Sequence, residues 1–383
     1  MVGTTVNAQP VKRQSNIELL RIVGMLMIIS HHYVVNSGIT ENLSFSQHPV
    51  NAAFLTLFGM WGKTGINVFI LISGYFMCTS SLTLRRYCKI AFEWIFYHYV
   101  IYFIMLAAGY ETFTPSRILY LIFSPFIYAN GSGNFSSSFL IFYLFIPFLN
   151  IFIHSASRKE YRNLVLFLLF VFTVLSTFFF NTAIFGEVFW FIAVYFIGGY
   201  LRLYPPVWAL SLRKSARLLL LSLLLCYLSV GICTLFQIRL SVPIDPRYFV
   251  QDANKLGAVL VGVFLFTTFK NLGISYSKWI NQIAATTFGI LMIHANSNAW
   301  RTFMWRDLLH VDVSYALSPA LLILRSLWVV AGIFICCSAL DLLRIALIEK
   351  PVFRHFDFFE GIIQKTQLLL KNAMWKLYHI LVH

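Results

Sequence analysis

Charge is scarce in this chain. Only 11% of its 383 residues are Asp, Glu, Lys or Arg, against roughly 25% in soluble domains. That shortage excludes a soluble globular protein and leaves lipid as the solvent to reason with. Acidic residues are the scarcest of the charges: 14 Asp and Glu stand against 29 Lys and Arg. The six cysteines form no CxxC pair and no Cys/His spacing suited to zinc, so they read as small core residues and no metal is expected. No low-complexity tract interrupts the chain. Residues 1–16 are polar and carry no small-residue cleavage site, so the first apolar run reads as a retained span and not as a signal peptide.

What is present is hydrophobicity: 59% apolar residues and a mean hydropathy of +0.76. Reading the apolar stretches against the roughly 20 residues needed to cross hydrocarbon predicts an all-α, polytopic bundle of about ten spans. These lie near 17–37, 62–80, 87–109, 136–154, 163–180, 184–203, 216–237, 255–270, 279–299 and 317–345. With the N-terminus in the cytoplasm, most of the 29 Lys and Arg fall on the inner side. Lys63, Arg117, Arg239, Arg247, Lys255, Arg301, Arg306 and Arg325 are left on the outer side or at outer span ends. This is the positive-inside pattern, with both termini cytoplasmic. It accounts for the basic charge without nucleic acid, which is not expected as a partner. Membrane lipids are. The expected division is a cytoplasmic segment over 1–16, one membrane domain over 17–345, and a basic amphipathic tail over 346–383 lying on the inner leaflet. The outer stretches near 38–61, 110–135 and 238–254 are the longest polar ones, and "SRILYLIFSPFIYANGSGN" reads as a re-entrant or interfacial segment.

The most informative local feature lies in the first run, "IELLRIVGMLMIISHHYVVNSG". At 100° per residue, Arg21 and His32 differ by only about 20° in direction, and Glu18 falls within roughly 60° of both. A carboxylate, a guanidinium and an imidazole therefore share one face. His31 points about 100° away. Ionisable groups inside a bilayer cost roughly 2.5–3.5 kcal/mol each on insertion scales, so such a stripe marks a functional site by default. The alternative is an interfacial Glu18–Arg21 ion pair with His32 hydrogen-bonded to a neighbouring helix. Arg85, Arg86 and Lys89 form an inner-surface cluster suited either to phosphates or to ordinary anchoring. Ser73 and Gly74 suit close helix contacts and a local unwinding. Glu93, His98, Glu187, His294, Arg325 and Asp341 are further polar groups at membrane depth, and His294 is the leading candidate for a second site residue. Arg325 and Asp341 stand about 24 Å apart along one helix, so each needs a partner elsewhere.

The run from Ile17 to Tyr33 resembles the first helix of the membrane acyltransferase-3 family, whose signature is a basic residue, ten residues, then His, with an acid three before the base. Glu18, Arg21 and His32 match it. "GINVFILISGYFM" (65–77) is similar to the family's second helix, and "FWFIAVYFIGGYLR" (189–202) and "TFGILMIH" (287–294) to later ones. The resemblance implies transfer of an acyl group, usually acetyl, from acetyl-CoA to a hydroxyl of a carbohydrate or lipid. His32 is then the base or a transient acyl carrier, with Arg21 toward the donor and Glu18 orienting it. Arg85, Arg86 and Lys89 are candidates for coenzyme A phosphates, and Asn67, Ser73 and His294 for the substrate site. Many members append a soluble hydrolase-like domain, which is not seen here. The expected acceptor is a surface polysaccharide, exopolysaccharide or lipid-linked glycan, and the expected location a bacterial plasma membrane. Partners in a glycan-synthesis complex are possible. An exporter of such a precursor is the alternative, and it predicts inverted internal repeats; the Glu-Arg-His arrangement occurs once. A noncatalytic partner subunit is the third reading.

Overall fold

The computed structural model describes residues 13–123, 135–179, 186–240 and 244–356, and among these every regular element is helical. The helices are α1 (Ser15–Val35), α2 (Pro49–Gly59), α3 (Gly62–Met77), α4 (Leu84–Ala107), α5 (Pro115–Phe123), α6 (Phe135–Ser155) and α7 (Arg158–Phe178). They continue with α8 (Glu187–Leu203), α9 (Leu212–Leu240), α10 (Leu256–Lys270), α11 (Lys278–Ala284), α12 (Thr287–His294) and α13 (Pro319–Arg344). Their starts follow local chemistry. Pro49 and Pro319 open α2 and α13, where a missing N–H costs nothing. The Thr83 side chain caps α4, and Ser157 with Glu160 forms a reciprocal capping box on α7.

Among the described residues, seven helical runs are long and apolar enough to cross a membrane: 15–35, 49–77, 84–107, 135–155, 158–178, 212–240 and 319–356. Three of the expected ten spans fall short of that measure. The sixth is a 17-residue helix, α8, and the eighth a 15-residue helix, α10. The ninth is broken. Between α11 and α12 the hydroxyls of Thr286 and Thr287 bond back to the carbonyls of Ile283 and Ala284, at 2.7 and 2.9 Å. Such side chains offer the backbone an alternative to the helical ladder, and hydropathy does not register it. The polar stretch expected at 38–61 also contains a helix, α2, which joins α3 across Met60 and Trp61. Within the segment read as re-entrant, 116–123 is helical and 124–134 lies outside the described residues. So do residues 1–12 and most of the tail, 357–383.

α3 sits at the centre, packed on α1, α8 and α10, while α1 also touches α2, α11, α12 and α13. Outward faces are greasy: Leu220, Leu224 and Leu228 on α9 and Leu324 and Trp328 on α13 are exposed, as expected of surfaces meeting lipid. All six cysteines are free thiols. The inner contacts depend on missing side chains. A Cβ on Gly65 would lie 2.7 Å from the Gly24 carbonyl oxygen and 3.0 Å from Ile28, and one on Gly74 would overlap the Tyr195 backbone. The close approach expected at Ser73–Gly74 is therefore present, but α3 runs through it without unwinding.

Gly65→Ala is expected to destabilise the protein by about 1–3 kcal/mol, because backbone faces backbone and neither side can yield. Gly332→Ala, whose Cβ would meet open space, is expected to be neutral or slightly stabilising through helix propensity. Thermal unfolding in detergent compares the two.

Candidate active site on the first helix

Helix α1 carries two polar clusters, one near each end. Near its start, Arg21 Nε lies 3.6 Å from Glu18 Oε2, an i,i+3 pair with Glu18 mostly buried. The Tyr143 hydroxyl of α6 lies beside Ser73 and within electrostatic range of both Arg21 and Arg86. The structure thus groups Arg21, Ser73 and Arg86 around a tyrosine for which the sequence gives no signal. Lys89 is committed elsewhere: its Nζ sits 2.9 Å from Glu349 and 5.3 Å from the centroid of the Phe353 ring. Arg85 approaches the same ring, at 6.0 Å.

Near the other end, His32 Nδ1 lies 2.9 Å from His294 Nε2. His294 is fully buried, and its Nδ1 lies 2.6 Å from the Ile290 carbonyl oxygen one turn back in α12. A carbonyl only accepts, so His294 Nδ1 must carry the proton. For two neutral rings a single arrangement remains: His294 Nε2 accepts from His32 Nδ1–H, and His32 Nε2 keeps its lone pair. That is the nitrogen a general base uses. The short α12 matters here, because its last residue presents the imidazole to α1. Arg21 and His32 are about 16 Å apart along the axis, at 1.5 Å per residue, so they serve different parts of any reactant.

His31 takes the other direction. Its Nδ1 donates to the Gly59 carbonyl, 2.7 Å away, at the end of α2 where helical carbonyls run out of partners. Gly62 leaves room for the ring, since a Cβ there would overlap His31. His31 lines a cavity of about 330 Å³ together with Val35, Gly59, Met60, Lys63, Arg247, Gln251 and Asp252. The far wall is strapped in place: Asn254 bonds Phe172 O and Ser176, Lys255 Nζ donates to Ser176 O, and Tyr248 OH donates to Thr177 O. Asn67 completes the strap. Its amide donates to Ala253 O at 2.6 Å and accepts from Trp190 Nε1 at 2.9 Å, so both of its ends hold protein. Arg247 grips Asp245 through Nε and Nη2, at 3.0 and 2.8 Å. Burial works to raise the Asp245 pKa, but the hydrogen bonds and charge of Arg247 outweigh it and hold the carboxyl below its ordinary value.

The sequence does not show what surrounds His31, nor that the 247–252 segment approaches it; the 100° offset from His32 shows only that the two rings meet different neighbours. Among the described residues, no group of three or more His, Cys, Asp or Glu is placed to hold a metal ion. A family model described as an acyltransferase domain matches residues 14–342. No curated protein and no solved structure matches the chain.

Proposed function

The chain belongs to the acyltransferase-3 family, whose domain model covers most of its length, and from that membership we propose transfer of an acetyl group from acetyl-CoA to a hydroxyl of a glycan. The acceptor is a surface polysaccharide, an exopolysaccharide or a lipid-linked glycan, and the setting a bacterial plasma membrane with both termini cytoplasmic. The observation that carries the reading is the His32–His294 hydrogen bond at 2.9 Å, because it leaves a lone pair on His32 Nε2.

His32 Nε2 takes the proton of the acceptor hydroxyl as its oxygen attacks the thioester carbonyl, forming a tetrahedral intermediate. The intermediate collapses with breakage of the C–S bond, and the departing thiolate recovers the proton from the imidazolium. Products are the acetyl ester and free coenzyme A. Arg21 and Arg86, at the other end of α1, supply positive charge for the donor's phosphates. Glu18 orients Arg21, and Ser73 and Tyr143 border the same region. Asn67 acts one step removed, through the wall it holds.

The test is purified protein in detergent, incubated with radiolabelled acetyl-CoA and a lipid-linked glycan fraction. Label is expected on the glycan. His294→Ala is expected to lower kcat by about 10- to 100-fold, part of the roughly 10²–10⁴ that a positioned base contributes, with the KM for acetyl-CoA little changed. Label that remains entirely on acetyl-CoA with every acceptor would overturn the proposal. Label on the protein itself in the absence of acceptor would identify Nε2 as a nucleophile that carries the acetyl group, not as a base alone.

A further inference from the structure

We infer that the cavity between His31, Lys63 and the 247–252 segment binds one neutral sugar ring, which on the acyltransferase reading above belongs to the acceptor. Its size is the first argument. About 330 Å³ lies at the small end of the roughly 300–1,000 Å³ typical of small-molecule sites, enough for a single ring and too little for an oligosaccharide.

The lining is the second. A pyranose presents hydroxyls that both donate and accept, around carbon faces that are apolar. The cavity answers each feature. Lys63 and Arg247 donate, Asp252 accepts, Gln251 does both, and Val35 and Met60 supply apolar surface. His31 has its Nδ1 committed to Gly59, so its Nε2 is the nitrogen left to accept.

Charge is the third argument, and it selects a neutral ligand. Lys63 is paired with Glu187 at 3.8 Å and Arg247 with Asp245 at 2.8 Å. Asp252 in turn lies within electrostatic range of Lys255, so three cations stand against three carboxylates and no positive charge is left over for a carboxylate or phosphate on the ligand. The position fits as well. The His31 ring lies 5.7 Å from the His32 ring, centroid to centroid, so the cavity adjoins the histidine pair at the end of α1 far from Arg21.

Equilibrium binding to the full-length protein in detergent, read by thermal shift, tests this with methyl glucoside, methyl galactoside and methyl mannoside as probes. Glucuronate and inorganic phosphate serve as anionic comparisons. At least one neutral glycoside is expected to raise the Tm, and Asp252→Asn and Gln251→Ala are each expected to weaken that binding about tenfold, the effect of one hydrogen bond. Asp312→Asn, an exposed acid that does not line the cavity, is expected to bind as the wild type does. The inference is overturned if no neutral glycoside shifts the Tm, if the anions bind more tightly, or if both cavity variants bind normally. Acetyl-CoA turnover measured in the same preparations separates the two proposals. Protein that consumes acetyl-CoA but binds no glycoside refutes this cavity's role alone, whereas protein that binds glycosides and never consumes acetyl-CoA refutes the transfer chemistry alone.

Discussion

Replacing His32 with alanine is expected to lower acetyl transfer about a thousandfold while the protein still accumulates in the membrane. A positioned base contributes roughly 10²–10⁴ in rate, and nothing else along the Glu18–Arg21–His32 face of α1 has a lone pair poised as Nε2 is. The structural cost is smaller. The ring is half-buried and makes its hydrogen bond to His294, so its loss leaves one buried acceptor unpaired, worth about 1–3 kcal/mol. A second variant therefore guards against misfolding. His32→Gln keeps a side-chain amide that can donate to His294 Nε2 but supplies no base, and it is expected to restore stability without restoring activity. The measurement is the O-acetyl content of the polymer at equal membrane expression, with thermal unfolding alongside. Unchanged acetylation in both variants would reject the mechanism. Unchanged acetylation with lost secretion of the polymer would favour an exporter.

Arg344→Met is expected to have the largest effect on stability. The guanidinium is almost wholly enclosed, its side chain 2% exposed, and it holds three carboxylates at once. Nε lies 2.6 Å from Asp341, Nη2 3.1 Å from Glu93 and Nη1 2.9 Å from Glu349. Tyr97 adds a hydrogen bond to Asp341 at 2.7 Å, and Lys89 an ion pair to Glu349. Removing the arginine leaves three acids around a single lysine. Breaking one side of a buried pair costs about 3–5 kcal/mol, and the variant is expected to be poorly retained or to unfold many degrees lower in detergent. The reason is charge imbalance and not lost volume, so adding Glu93→Gln and Asp341→Asn to the same chain is expected to recover much of the loss. A triple variant as unstable as the single one would show that packing, not charge, is what Arg344 provides.

This network shows where the sequence is informative and where it stops. Hydropathy identifies a helical membrane bundle, and helix geometry alone says that Arg325 and Asp341 need separate partners. They have them: Arg325 donates to the carbonyls of Leu309 and His310, and Asp341 accepts from Arg344 and Tyr97. Periodicity likewise puts Glu18, Arg21 and His32 on one face, because a helix fixes directions within itself. What it does not fix is which helix comes to meet that face. His294 lies 262 residues from His32 along the chain, and no local pattern links the two. The break between α11 and α12 depends on hydroxyl-to-carbonyl bonds at Thr286 and Thr287 that a hydropathy window averages away. α2 was hidden for a related reason: eleven residues are too few to register as a span, and the helix becomes part of a long apolar run only through its junction with α3. The cavity beside His31 is further still from the sequence, since its far wall is irregular chain fastened by Asn67, Asn254 and Lys255.

If acetyl-CoA is the donor, as proposed, the glycine contacts between α1 and α3 have a consequence for it. Gly24 and Gly65 let α1 and α3 meet backbone to backbone, and along α1 the interval from Arg21 to His32 is about 16 Å. A thioester whose phosphates rest at one end of that interval reaches the other only with its pantetheine arm outstretched. Inserting a single residue between the two ends would lengthen the interval by about 1.5 Å and swing the imidazole through about 100°, spoiling reach and aim together.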